Sequence, residues 1–263
     1  RMEHDSVTVM SVIHGGPAEK VGLLAGDRII SANGVNLCKM QSNEVMKHLK
    51  GEKGSEAKLE IIRRKDKEPL TFTIIRGDIP VESVDASFLI DDEIGYIRIK
   101  NFGENTFAEM LATLAHLHFN GMKSLVIDLR GNRGGYMHPS IQIANEFLEK
   151  DDQVVYMEGR HRKREYFDAD GRGSMKDIEI SVLIDEGTAS SSEIFSGAIQ
   201  DNDRGIIVGR RSFGKGLVQE PINFTDGSGI RLTVSRFYTP SGRCIQKPYD
   251  GDYQYDIYER YTN

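Results

Sequence analysis

The sequence predicts two domains of mixed class, an α+β unit over residues 1–78 followed by a larger α/β unit over residues 79–263. Three observations carry this. Short alternating apolar runs separated by Gly, Pro and Asn fill the first third, the pattern of half-buried strands joined by tight turns. Beyond residue 90 the pattern becomes strand, helix, then a continuous apolar strand, which implies a right-handed crossover onto a sheet covered on both faces. Between the two, Ile79-Pro80-Val81 and the residues up to Asp85 read as a link.

At 263 residues the chain can bury a core in each unit. A hydrophobic content of 38% and a net charge of -6 fit a water-soluble protein, and the acidic balance argues against nucleic acid as a partner. No run approaches the roughly 18 apolar residues of a membrane span, and no segment has signal-peptide layout. Cys38 and Cys244 lie too far apart for metal or redox spacing and read as structural thiols. No His-x-x-x-His or clustered carboxylate pattern occurs, so neither a metal nor a cofactor is expected.

In the first unit, residues 6–12 alternate as a strand, His14-Gly15-Gly16-Pro17 punctuates, and residues 18–24 make a short helix. Residues 26–34 read as a strand and a hairpin turn, residues 42–49 as a helix, and residues 58–63 and 70–75 as strands. Gly16-Pro17-Ala18, Gly22-Leu23, Gly26-Asp27 and Asn33-Gly34 resemble the centre of a PDZ domain, a fold that captures an extended peptide beside a helix. The resemblance makes Val45, Met46 and Leu49, on the helix at 42–49, candidate groove residues. They read equally as core. The family's first strand and its Gly-φ-Gly carboxylate-binding loop would precede Val7 and are not among these residues.

In the second unit, residues 94–99 alternate as a strand and residues 106–117 carry helical spacing. Residues 124–129 form a short continuous apolar run, as a central strand does. It runs into Asp128-Leu129-Arg130-Gly131-Asn132-Arg133-Gly134-Gly135, where paired glycines let backbone N–H groups approach a ligand. Residues 141–148 read as helix, 153–157 as strand, and 159–173 as a polar loop with Arg160, Arg162, Lys163 and Arg164. Strands follow at 178–184, 205–209, 217–221 and 229–238. The tail beyond Lys247 holds Tyr249, Tyr253, Tyr255, Tyr258 and Tyr261 without a motif, and its tyrosines offer surface for packing on the core.

The chemistry gathers in residues 185–219. Gly187-Thr188-Ala189-Ser190-Ser191-Ser192-Glu193-Ile194 sets three serines at the head of an apolar-periodic helix that ends near Asp201. Strand, sharp turn, nucleophile and helix repeat the logic of a nucleophile elbow without its sequence. Phe213-Gly214-Lys215-Gly216 holds a lysine between glycines. A serine hydroxyl is a weak nucleophile until a base takes its proton, and a lysine can serve if burial keeps its amine neutral. Neutrality near pH 7 costs a lysine roughly 4 kcal/mol. A dry slot is therefore expected around Lys215, with Phe213 as one wall. Each piece also reads as an ordinary feature, an N-cap and a turn. His138, just past the paired glycines, offers the commoner Ser/His arrangement, but no Asp is evidently paired with it. Glu193 and Asp201 read as structural.

Together these pieces resemble the serine/lysine peptidases of the carboxy-terminal processing (tail-specific) family. The family's nucleophile motif reads Gly-Thr/Ser-Ala-Ser-Ala-Ser-Glu-Ile, and here Ser191 stands where alanine is commoner. Its base motif, Phe-Gly-Lys-Gly-x-Val-Gln, is matched by Phe213-Gly214-Lys215-Gly216-Leu217-Val218-Gln219. Its Asp-Leu-Arg-Asn-Asn-Pro-Gly-Gly is matched from Asp128 to Gly135, with Gly131 and Arg133 as departures. Thr239-Pro240-Ser241-Gly242-Arg243 is also similar. The resemblance implies a PDZ domain followed by an α/β sandwich-type peptidase core with a C-terminal extension. It implies Ser190 as nucleophile, Lys215 as base and Gln219 as the residue that orients it. The oxyanion hole falls to the N–H of Gly134 or Gly135 together with that of Ser191. It further implies a protein or peptide substrate with an apolar C-terminus, bound or gated by the PDZ domain, and an extracytoplasmic site of action in the bacterial periplasm or cell envelope. Members carry dimerising elements in flanking segments, which leaves a homo-oligomer open. The alternative is a catalytically silent PDZ-containing peptide-binding or scaffold protein.

Overall fold

Period-two alternation and glycine turns build the first sheet. In the computed structural model, which describes residues 2–248 apart from 4, 5, 14, 65, 67, 80 and 81, this sheet holds β1 (Met2–Glu3), β2 (Ser6–Thr8), β3 (Arg28–Ala32), β4 (Val35–Asn36), β5 (Glu56–Ile62) and β6 (Leu70–Ile75). The order is β1-β2-β3-β5-β6, with β4 paired to β3, and every pairing is antiparallel. Along β5 the residues Ala57, Leu59 and Ile61 turn inward and their neighbours outward. The β3–β4 turn is Asn33-Gly34, with φ of 51° and 79°, the left-handed pair that a two-residue hairpin demands. Helices α1 (Pro17–Lys20) and α2 (Ser42–Leu49) complete the unit. Asp27 is buried and receives Arg63 Nε at 2.8 Å, Arg63 Nη2 at 2.7 Å and the Leu24 N–H at 2.8 Å. The Arg63 hydrogen bonds hold its carboxyl below the ordinary value. Contacts divide the chain into units Arg1–Val81 and Glu82–Asn263.

The second unit is built on two sheets. Its elements are β7 (Val84–Leu89), β8 (Ile94–Ile99), α3 (Thr106–Phe119), β9 (Ser124–Asp128), α4 (Met137–Asn145), β10 (Gln153–Glu158), β11 (Glu165–Asp168), β12 (Glu179–Ile184), α5 (Ser191–Asp201), β13 (Ile206–Gly209), β14 (Leu217–Asn223) and β15 (Gly229–Tyr238). One sheet runs β13-β12-β9-β8-β7, parallel except for β7. The other is antiparallel, β11-β10-β15-β14. Helix α5 packs against both β10 and β13, and every residue from Ser191 to Ile199 is buried. The core around it includes Ile97, Ile127, Phe147, Val182 and Phe195.

Several sequence expectations shift. The strand expected at 6–12 pairs only over Ser6–Thr8, and β7 starts inside the stretch read as a link. Helix α4 runs Met137–Asn145, with Pro139 tolerated in its first turn, and so ends before the expected 148. The polar loop at 159–173 contains β11, held by pairing to β10. Both cysteines are exposed free thiols rather than packed ones. The tyrosine-rich tail lies outside the described residues. Among the described residues, no helix is long and apolar enough to cross a membrane.

Candidate active site

Parallel neighbours end together, so β9 and β12, paired through Asp128 and Leu183, deliver their following turns to the same edge of the sheet. That edge is where open α/β sheets place their sites. The turn after β9 is residues 129–135, and the turn after β12 is residues 185–190.

Side chains lock the two turns to each other. Thr188 Oγ1 donates to Leu129 O (2.8 Å), the Ala189 N–H to Asn132 O (2.9 Å) and the Gly131 N–H to Asp185 Oδ1 (2.8 Å). Ser191 Oγ donates to Gly135 O (2.9 Å) and Ser192 Oγ to Asn132 O (3.1 Å), so two of the three serines commit their hydroxyls to structure. Asn132 is fully buried; its Nδ2 donates to Ile99 O (2.8 Å) and its Oδ1 accepts the Gly134 N–H (2.9 Å). Gly134, with φ 89°, lies so close that a Cβ on it would sit 2.6 Å from Ala189 O and 2.7 Å from Ser190 Cβ. Only glycine fits there.

Ser190 is the N-cap of α5 and has φ 60° and ψ -117°. A positive φ is strained for serine, by about 1–3 kcal/mol, and such strain gathers at functional sites. It lifts the partly exposed Ser190 out of the turn at the head of a helix that supplies free N–H donors.

Glu193, one turn into α5 and buried, joins this turn to the lysine loop. Its Oε2 accepts the N–H groups of Ser190 and Lys215, each at 2.8 Å, and its Oε1 accepts the Gly214 N–H (2.6 Å) and Ser212 Oγ (2.7 Å). The Phe213 N–H donates to Thr188 O at 2.9 Å. One carboxylate thus gathers both sequence motifs. Neither Glu193, Asn132 nor Asp185 was singled out for such a role by the sequence; the signals were the Ser190-to-Glu193 spacing of a capping box and the Asp185-to-Gly187 spacing of an Asx turn.

The dry slot expected for Lys215 is not there. Its side chain is exposed, and among the described residues its amine makes no hydrogen bond to Ser190 or Gln219, itself exposed on β14. The loop glycines fix the main chain but give the side chain no wall. The Phe213 ring faces Lys247 instead, whose Nζ lies 5.1 Å from the ring centroid and which is the buried lysine of this region. His138 sits exposed in the first turn of α4.

Two carboxylates brace the surroundings. Asp128 binds Arg130 Nη2 (2.7 Å) and the Tyr96 hydroxyl (2.6 Å). Burial pushes its carboxyl up, but the hydrogen bonds from Arg130 and Tyr96 outweigh this and leave it below the ordinary range. Asp201 behaves alike: burial raises it, and Ser241, Thr239 and Arg243 bring it below. In the first unit, Val45 belongs to the core and Met46 is exposed. Leu49 lines an apolar cavity of about 510 Å³ with Val12, Leu23, Ile29 and Leu59.

Comparison with known proteins gives the class. Residues 93–257, more than half of the chain, match the model of peptidase family S41, and residues 1–75 match a PDZ domain model. The chain belongs to peptidase family S41. It is 35% identical over 250 residues to a carboxyl-terminal-processing protease of Synechocystis sp., covering 93% of this chain and 58% of that one. It is 36% identical over 249 residues to the carboxy-terminal processing protease CtpB of Bacillus subtilis, covering 94% and 52%. Among solved structures, the photosystem II D1 C-terminal processing protease superposes with a TM-score of 0.56 at 32% identity, covering 93% of this chain and 66% of that one. The chain spans little more than half the length of these curated relatives.

Proposed function

We propose that this chain is a serine-type peptidase that cleaves proteins recognised through an apolar C-terminus, with Ser190 as nucleophile and Lys215 as base. The observation that carries the reading is Glu193, whose single oxygen accepts the N–H groups of both Ser190 and Lys215. Two motifs far apart in sequence converge on one buried atom.

In this reading Ser190 Oγ attacks the scissile carbonyl, Lys215 takes its proton and passes it to the leaving amine, and water then releases the acyl group. The oxyanion is held by the N–H groups of Gly135 and Ser191, since that of Gly134 is committed to Asn132. Lys215 starts exposed, so its stem must swing toward Ser190 under a substrate that excludes water, with Gln219 orienting it. The PDZ unit contributes peptide binding through the α2 side, where Leu49 opens onto the apolar cavity. An extracytoplasmic site of action goes with this reading.

A fluorophosphonate probe tests the nucleophile. It should label Ser190 alone, seen by peptide mass mapping, and Ser190→Ala should abolish labelling. Labelling that persists in Ser190→Ala, or that falls on Ser191 or Ser192, contradicts the assignment.

A further inference from the structure

The backbone of Lys215 is gripped from two directions, and one grip comes from a segment with no place in the mechanism so far. Residues 244–247 run alongside the lysine loop: the Ile245 N–H donates to Phe237 O (3.0 Å), the Phe237 N–H to Gly216 O (2.8 Å) and the Lys247 N–H to Gly214 O (3.0 Å). Gln246, 8% exposed, turns its side chain inward. Its Oε1 accepts the Gly216 N–H (3.0 Å), and its Nε2 donates to Lys247 O (3.1 Å). The approach is so close that a Cβ on Gly216 would lie 2.4 Å from Gln246 N. Glu193 takes the N–H groups of Gly214 and Lys215, and Gln246 takes the next one. Among the described residues, Gln246 is the side chain that holds the loop on the C-terminal side of the lysine.

We propose that Gln246 is a positioning residue for Lys215. By fixing the peptide unit that follows the lysine, it sets the direction in which the Cα–Cβ bond leaves the loop, and so the arc over which the amine reaches Ser190. A buried N–H deprived of its acceptor moves to find another, and a displacement of about 1 Å at a reacting group costs on the order of 100-fold in rate. The inference rests on the reading of Lys215 as the base of Ser190.

The test uses the 263-residue chain on an unfolded polypeptide with an apolar C-terminus, reading kcat, KM and Tm. Gln246→Leu removes the acceptor at similar size, and Gln246→Glu keeps an oxygen for the Gly216 N–H while giving up the donation to Lys247 O. The leucine variant should lose about 10- to 100-fold in kcat with KM within about twofold, while the glutamate variant stays within about fivefold of the parent. Should Gln246→Leu fail to fold, Gln246→Met takes its place with the same expectation. Parental kcat in the acceptor-less variant, or equal losses in it and in Gln246→Glu, overturns the inference. Lys215→Ala run alongside separates the two claims: parental activity there removes the Ser/Lys reading itself, whereas an inactive Lys215→Ala beside a fully active Gln246→Leu removes only the role of Gln246.

Discussion

The nucleophile turn and the lysine loop are tied down by the same kinds of hydrogen bond, yet they leave their two functional side chains in opposite states. In the turn, backbone and side chains are both committed: Thr188, Ser191 and Ser192 spend their hydroxyls on the 129–135 loop, and Ser190 is held at a positive φ. In the loop, the N–H groups of residues 213–216 all have acceptors, but Lys215 itself extends into solvent. Folding sets the position of both backbones and the presentation of the serine. It does not set a proton path, which in the proposed mechanism the lysine would complete by moving. The difference separates what stability measurements should sense from what activity measurements should sense.

Among changes that leave Ser190 and Lys215 in place, breaking the shared atom should have the largest effect. Glu193→Gln puts an amide NH₂ against two of the four donors that the carboxylate now accepts. A loss of about 2–3 kcal/mol in stability and on the order of 100-fold in kcat is expected, from denaturant titration and steady-state cleavage. A variant that loses activity at unchanged stability would show that Glu193 acts on the lysine loop alone. Gly134→Ala strikes only the nucleophile side. Its Cβ would meet backbone at 2.6 Å at a left-handed φ, and about 2–3 kcal/mol should be lost, with kcat down about tenfold or more. If it unfolds at the parental denaturant midpoint, the two turns are less tightly locked than described.

The smallest effect concerns acid. Asp128 and Asp201 have carboxyls held below their ordinary value in the fold, so the stability they contribute is complete above the unfolded value near 3.9 and is lost as pH falls through the lower folded values. Tm should stay level from pH 7 to about 5 and fall below about pH 4, and Asp201→Asn should make that fall shallower. A fall confined between pH 7 and 5 would mean that other groups dominate.

Much of this was legible because local signals and tertiary structure agree. The stretches read at 70–75, 94–99 and 229–238 as strands and at 42–49 as a helix keep those bounds in β6, β8, β15 and α2, with β8 read from its alternation and α2 and β6 from the PDZ resemblance. Two edge strands, β7 and β11, were not legible. Val84–Leu89 carries Asp85, Ala86 and Ser87, and becomes a strand by pairing with β8; Glu165–Asp168 lies in a charged loop and depends on β10. In the site, the motifs gave residues but not states. A lysine between glycines does not reveal whether a wall stands beside it, and the wall, Phe213, turned out to face Lys247 from the far end of the chain. The roles of Asn132 and Asp185 depend on β9 and β12 ending side by side, which no local pattern encodes.

Cleavage of an unfolded polypeptide with an apolar C-terminus by the parent chain, Ser190→Ala and Lys215→Ala, with Tm recorded for each, tests the central claim most directly. The account predicts a cutting parent and two inactive variants. Lys215→Ala should keep the parental Tm within about 2–4 °C, since an exposed side chain contributes little to stability. A Lys215→Ala variant that still cuts at the parental rate would contradict the account and return His138 as the candidate base.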